Sequence, residues 1–485
     1  MPQSTLSPAS PSTAAERAER GGTRLGLATK WWVLVAIGVG TFMSALDGSV
    51  VNTVLPVIRA DFGASVSTIG WVVSIYLLVV SAMLLTFGRL GDIYGHKRVY
   101  LAGFVLFVAS SVAAGFAPTP GALIAARAVQ ALGGAMLQSN SPAILTTTFP
   151  GKQRGQALGL QGTMTYIGVM VGPPLGGWLA TQFSWRMIFY INVPVGLLAV
   201  WLGWLVIPSR TSHSARERFD PLGALSFMLG LTALLLALNR GRTWGWGSPG
   251  ILGLLAATLV GLGFFVLFES RVRDPLLDLS LFRRRMFSAS ALSAIFNYMC
   301  VYSIIFLVPF YLIEGRGLSP DRAGLLIAMQ PLVMAIVAPI SGSLSDRIGS
   351  RWLASFGMAS LGVGLWLLSR LGPASPPGQI ALALAIAGLG NGSFAPANNS
   401  ALMGSAPRER QGVAASVLAS GRNVGMMLGV ALAAALFSAR LAAFTGANLP
   451  DPTVRAVGTT FQIVVGLAAL GVLTSSVRGQ TVETA

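Results

Sequence analysis

Fourteen separate apolar runs divide this chain, each long enough to cross a bilayer as a helix, and no other feature narrows its fold so far. They fall near 31–54, 69–90, 99–117, 121–149, 156–180, 187–207, 221–239, 249–268, 286–313, 322–344, 352–370, 379–404, 411–438 and 458–475. Only 10% of the 485 residues are charged and the mean hydropathy is +0.70, whereas a soluble domain carries roughly 25% charged residues. Too little polar surface is encoded to cover a water-soluble globule, so an all-α polytopic membrane protein is expected. The 58 glycines are about 12% of the chain against a usual ~7%, which fits close packing of membrane helices. Two His and one Cys exclude a disulfide scaffold and leave no ligand set for zinc or haem, so no metal and no cofactor is expected. Cys300 reads as a small packing residue.

The net charge of +17 would ordinarily suggest nucleic acid. The placement of the charges argues for topology instead. Of the 33 Lys and Arg, 22 fall in the tails and loops on the N-terminal side of the runs, nine on the other side, and Arg127 and Arg422 lie inside runs. The positive-inside rule then puts both termini in the cytoplasm. No basic cluster is interleaved with aromatic residues, and no nucleic-acid partner is expected. Residues 1–30 are rich in Ser, Ala, Pro and Thr and read as a disordered cytoplasmic tail rather than a cleaved signal peptide.

An internal repeat sets the organisation. Gly88, Leu90, Asp92, Gly95 and Lys97 recur as Gly342, Leu344, Asp346, Gly349 and Arg351, all at an offset of 254. Both copies sit in short loops after apolar runs, which implies two homologous bundles. Six spans form each, over 31–207 and 286–475. Segment 208–285 holds two additional spans between charged linkers, and 476–485 is a cytoplasmic tail. Glycines in the loops permit tight turns, Asp92 suits a neighbouring helix N-terminus, and Lys97 and Arg98 hold the loop at the membrane face. Such loops can latch one bundle on the other, or serve only as tight turns.

Asp47 is the single acid well inside a span. A carboxylate there costs at least ~2.5–3.5 kcal/mol, so it is expected to face a cavity or a partner. It suits proton exchange or substrate coupling; a structural ion pair or a permanently neutral acid is the alternative. A side chain facing lipid or sealed from any water-accessible chamber would count against exchange. Arg127 enters from the opposite direction, and at ~1.5 Å per residue its depth matches that of Asp47, so the two can pair. Snorkelling of Arg127 to the interface is the competing reading. Desolvation and an arginine partner act in opposite senses on a carboxylic acid, and the sequence leaves the balance open. Arg422 lies near mid-depth and is expected to face a cavity or backbone carbonyls. Gly168, Gly172, Pro173, Gly176 and Gly177 combine small residues at four-residue spacing with two prolines, which suits either a pliable interface or simple close packing. Asn52, Tyr76, Gln130, Asn297, Tyr298, Gln330 and Asn391 are polar or amphipathic residues within spans, candidates for a substrate cavity or for bridging helices.

These segments resemble the major facilitator superfamily, in its fourteen-helix drug:proton antiporter branch. Gly88 to Tyr100 resembles the loop motif after the second helix, and Leu46 to Pro56 the first-helix signature. Arg127 to Gln130 resembles the fourth-helix motif whose arginine is tied to proton transfer. Gly168 to Gly177 matches the antiporter motif at every fixed position, and Trp185 to Pro194 is also similar to the group. Departures occur at Ile93 and His96, where arginine is usual, at Ala131, where glycine follows the Arg-x-x-Gln pattern, and mildly at Ser49 and Val54. The resemblance implies a major facilitator fold that exports lipophilic small molecules in exchange for protons by alternating access, as a monomer in the lipid bilayer of the cell (inner) membrane. Further membrane acids in the C-terminal bundle, as in exporters of multivalent cations, are absent except near Glu314, which leaves monocationic, neutral or lipid-like substrates. Proton-coupled uptake, lipid or metabolite translocation, and a membrane sensor or scaffold are the alternatives. A membrane enzyme would need a cluster of reactive side chains that the two loop histidines do not provide.

Overall fold

The computed structural model describes residues 29–208, 221–245, 247–269, 282–405 and 411–477, all helix or connecting turn with no β-strand among them. Most of the expected N-terminal tail, the linker segments 209–220 and 270–281, and most of the C-terminal tail lie outside the described residues.

The first half comprises α1 (Thr29–Phe62), α2 (Val66–Tyr94), α3 (His96–Gly115), α4 (Pro120–Thr148), α5 (Gly151–Gln182), the one-turn α6 (Met187–Tyr190) and α7 (Asn192–Val206). Two further helices follow, α8 (Pro221–Trp244) and α9 (Pro249–Glu269). The second half comprises α10 (Arg285–Pro309), continued by a π-helical turn Phe310–Gly315, then α11 (Pro320–Ile327), α12 (Met329–Ile348), α13 (Ser350–Ser369), α14 (Pro377–Gly404), α15 (Gln411–Gly446) and α16 (Pro452–Ser476).

Local chemistry marks several ends. The Ser65 hydroxyl accepts from Thr68 N–H at 3.0 Å to start α2, and Thr119 caps α4 ahead of Pro120. At the far end of α2, Gly95 adopts φ 93°, and at the end of α12 Gly349 adopts φ 86°. Each residue closes one helix and opens the next, so the sequence repeat becomes a repeated backbone corner of a kind open to glycine.

Twelve helical segments among the described residues are long and apolar enough to cross a membrane. The expected count of fourteen is therefore not reached on length and apolarity. The fifth and seventh expected runs account for the difference. Helix α5 is diluted by glutamines and by the glycines that let it pack closely on α1, and α8 carries only the short apolar stretch Leu225–Leu234 among its described residues. Large apolar side chains such as Trp201, Leu259, Val260 and Trp352 are exposed around the outside. In water such a surface would drive aggregation; in a bilayer it matches the solvent.

Glycine seams hold each half together. A methyl group at Gly168 would sit 2.7 Å from the Phe42 carbonyl oxygen, and one at Gly172 would lie 2.6 Å from Ser49 Cβ, so α5 lies directly on α1. In the second half, methyl groups at Gly425 and Gly429 would meet the Ile295 and Met299 carbonyl oxygens at 2.6 and 2.5 Å, joining α15 to α10. Gly168, Gly172 and Gly176 recur as Gly421, Gly425 and Gly429 at an offset of 253, a second trace of the duplication that the loop motif alone did not reveal. Helix α8 packs through Phe227 and Leu231 against Leu78 of α2 and Met427 of α15, covering the seam between the halves.

Candidate functional site

Five helices of the first half converge on Asp47. Arg127 and Gln130, one turn apart on α4, face it from the same side. Arg127 Nη1 donates to Asp47 Oδ2 at 2.5 Å. Gln130 Nε2 donates to Asp47 Oδ1 at 3.0 Å, and Asn192 Nδ2, at the start of α7, donates to the same oxygen at 2.8 Å. Gln130 also donates to the Ser111 hydroxyl of α3 at 2.8 Å and accepts from Arg127 at 2.6 Å. Arg127 Nε reaches the Val72 carbonyl oxygen at 3.3 Å, and its guanidinium lies 4.3 Å from the centre of the Tyr76 ring on α2. Every contact to the carboxylate is a donor, as an ionised acid requires.

The network is deeply buried: Asp47, Arg127 and Asn192 are each 1% exposed, and Gln130 and Ser111 are fully covered. Arg127 therefore does not snorkel. Asp47 faces a partner rather than lipid, but in this conformation it is shut off from solvent, the arrangement that counts against proton exchange. Asn192 and Ser111 had no assigned role in the sequence; the only sign was a polar residue inside an otherwise apolar run. Asn192 Oδ1 is buried without a partner beside the carboxylate.

The two halves meet closely at one end. Arg59 at the end of α1 pairs with Glu314 after α10. The Thr181 hydroxyl of α5 donates to Asp321 of α11 at 3.4 Å. The antiporter motif reaches across here: a methyl group at Gly177 would lie 2.1 Å from the Pro320 carbonyl oxygen, and one at Gly324 would lie 2.2 Å from that of Pro173. Close by, Asp61 accepts from Trp185 Nε1 at 2.9 Å and from Arg186 at 3.1 Å, tying the Trp185–Arg186 pair to the end of α1.

The repeated loops lie at the opposite end. His96 Nε2 lies 3.3 Å from Asp92, and His96 Nδ1 lies 2.8 Å from Asn140 Oδ1 on α4. Lys97 donates to the Trp204 carbonyl oxygen of α7 at 2.9 Å, and Arg98 is exposed. Gly88 faces Ser139, and Gly342 faces Pro396. The Arg351 guanidinium lies 5.8 Å from the neighbouring Trp352 ring. Asp346 sits in the last turn of α12, and its side chain is outside the description. The loops are thus placed as paired corners at one end of the two halves.

The cavity candidates separate into three groups. Tyr76 and Gln130 belong to the Asp47 network. Asn52 donates to the Gly48 carbonyl oxygen within its own helix at 2.6 Å. Asn297, Gln330 and Asn391 are buried inside the second half, where Asn297 and Asn391 donate to Met358 and Met334 sulfurs at 3.4 and 2.9 Å. Tyr298 hydrogen-bonds with Arg422, and Tyr302 and, from the first half, Tyr166 lie within electrostatic range of that pair.

The comparisons with known proteins agree with this architecture. The Major Facilitator Superfamily model matches residues 37–280 and 290–477. The riboflavin transporter RibZ of Clostridioides difficile is 37% identical over 413 residues, 85% of this chain and 89% of that protein. The multidrug resistance protein Stp of Mycobacterium tuberculosis is 33% identical over 434 residues, 88% of this chain and 80% of that protein. A bacterial homologue of the human lysosomal transporter Spinster, in an inward-facing and unoccupied conformation, superposes with a TM-score of 0.69 at 17% identity over 94% of this chain and 98% of that one. With both halves matched and relatives above 30% identity over most of both chains, the chain belongs to the Major Facilitator Superfamily and is a membrane transporter rather than an enzyme.

Proposed function

We propose that this protein is a proton-coupled exporter of lipophilic small molecules, working by alternating access in the cell (inner) membrane with both termini cytoplasmic. The observation that carries the reading is the buried Asp47–Arg127 pair, held by Gln130 and Asn192. Relatives named for multidrug resistance support export. In this reading α5 and α8 complete a set of fourteen spans, the two six-helix bundles are 31–207 and 286–475, and the chain acts as a monomer.

Asp47 and Arg127 form the proton switch. A proton delivered to Asp47 removes the charge that Arg127 neutralises and weakens the pair. Arg127 keeps its contacts to Gln130, the Val72 carbonyl and the Tyr76 ring. A half-turn of the Asn192 amide would offer its unpartnered Oδ1 to the protonated acid. The proton enters from outside, and the neutral state favours the inward-facing form, in which the contact between the halves at Arg59 and Glu314 is closed; substrate capture and proton release then reset the cycle. Substrate crosses between the halves, and the loops around Gly95 and Gly349 act as gating corners.

The test is efflux from proteoliposomes under an imposed pH gradient, with a panel of lipophilic ligands. Wild-type protein exports at least one ligand and dissipates the gradient; Asp47→Asn, folded by thermal unfolding, does neither. Full transport by Asp47→Asn removes the acid from the mechanism. The similarity to a riboflavin transporter favours a second reading, metabolite translocation on the same fold, and riboflavin therefore belongs in the panel.

A further inference from the structure

Among the described residues, Asp47, Asp61, Asp92 and Glu314 are engaged by Arg127, Arg186, His96 and Arg59, and no ion pair includes Arg422. Its Nε is buried with no hydrogen-bond partner. The rest of the guanidinium reaches a phenol, through a side-chain hydrogen bond with Tyr298 of α10. Tyr302 of the same helix and Tyr166 of α5, in the other half, are within the guanidinium's electrostatic reach. The glycine seam explains the placement: Gly421, Gly425 and Gly429 bring α15 onto α10, so the residue beside Gly421 projects along the face that carries Tyr298 and Tyr302. All four side chains are half-buried, unlike the sealed Asp47 network.

Burying part of a guanidinium with an empty donor is costly. A ligand that supplies an acceptor with negative charge removes that cost, because Arg pairs with carboxylates and oxyanions through parallel N–H donors. The surrounding rings offer stacking and edge contacts to a flat apolar body. We propose that Arg422 with Tyr166, Tyr298 and Tyr302 seats a planar aromatic molecule bearing one acidic group, a carboxylate or a phenolate. This rests on the transport reading and names its substrate class, which lies outside the monocationic, neutral or lipid-like molecules expected from sequence. Tyr76 links the seat to the proton switch, since it stacks on Arg127 and is within reach of Tyr302.

The experiment is equilibrium binding to the full-length protein in nanodiscs, with naphthoate, naphthamide and naphthylmethylamine as anionic, neutral and cationic probes of one shape. Naphthoate is expected to bind about tenfold tighter than the amide, equivalent to about 1.4 kcal/mol, with the amine weakest. Arg422→Gln is expected to bring naphthoate down to the level of the amide, and Arg422→Lys to keep part of the preference. Equal binding of naphthoate and amide to the wild-type chain, a preference for the amine, or a preference that survives Arg422→Gln overturns the proposal. So does displacement by phosphatidylglycerol vesicles with no naphthoate binding, which would make the site a lipid-headgroup contact. If Arg422→Gln does not fold, the wild-type probe series and Arg422→Lys still decide. Gradient-driven efflux of other ligands without this preference defeats the seat alone. Naphthoate preference without gradient-driven movement defeats the transport reading alone.

Discussion

Arg127 Nη1 lies 2.5 Å from Asp47 Oδ2, and both side chains are at most 2% exposed. The pair joins α4 to α1 in the middle of the first half, where neither partner can turn to water. Removing one member of a buried pair strands the other charge at a cost of about 3–5 kcal/mol, whereas replacing both with apolar groups of similar volume is often neutral.

Asp47→Asn is therefore expected to destabilise the protein by about 3–5 kcal/mol, and Asp47→Asn combined with Arg127→Met to recover most of that loss. Thermal unfolding of Asp47→Asn, Arg127→Met and the double variant in the same detergent completes the cycle. A double change that destabilises by the sum of the two single losses would mean that the pair contributes no coupling.

Asn192→Leu removes one donor to Asp47 Oδ1 and the unpartnered Oδ1 beside it. The expected result is a loss of about 1–3 kcal/mol and a displaced pH profile of gradient-driven efflux. An unchanged profile would reduce Asn192 to a packing residue.

Gly177→Val places a side chain against the Pro320 carbonyl oxygen, where even a methyl group would stand at 2.1 Å. Overpacking of this kind costs about 1–3 kcal/mol, directed against the state in which the Arg59–Glu314 end is closed. Ala323 is buried at that contact, so a cysteine at Ala323 should be labelled faster in Gly177→Val than alone. Identical labelling rates would show that the contact does not govern closure.

The Arg59–Glu314 pair is partly exposed, at 27% and 19%, so its own contribution is small, about 0–1 kcal/mol. Glu314→Gln is expected to leave thermal stability nearly unchanged while speeding the same labelling. The exchange Arg59→Glu with Glu314→Arg should restore the slower rate.

Gly95→Ala and Gly349→Ala each force a side chain onto positive φ. Each is expected to cost about 1–3 kcal/mol, measured by thermal unfolding. Matching losses follow if the duplicated loops are equivalent corners, whereas an effect at one position alone would separate their roles.

Periodicity and apolar length already located the helices, because a bilayer forces long apolar runs to satisfy their own backbone. The offset of 254 between the loops implied a duplicated architecture, and matching depth was enough to bring Asp47 and Arg127 together. Depth is a linear coordinate, and residue number converts to it directly. Direction around a helix axis is another matter. Successive residues turn by about 100°, and which face meets a neighbour is decided by packing. Only the tertiary structure set Asn192 and Ser111 against Asp47, laid Gly177 across the junction onto Pro320, and gathered tyrosines from both halves around Arg422. The number of spans also depended on context, since α5 is helical and tightly packed yet too rich in small and polar residues to register by apolarity. The sequence determined what must lie in the membrane and at what depth; rotation and contact between helices, fixed by glycine seams and cross-half packing, decided which of those residues form a site.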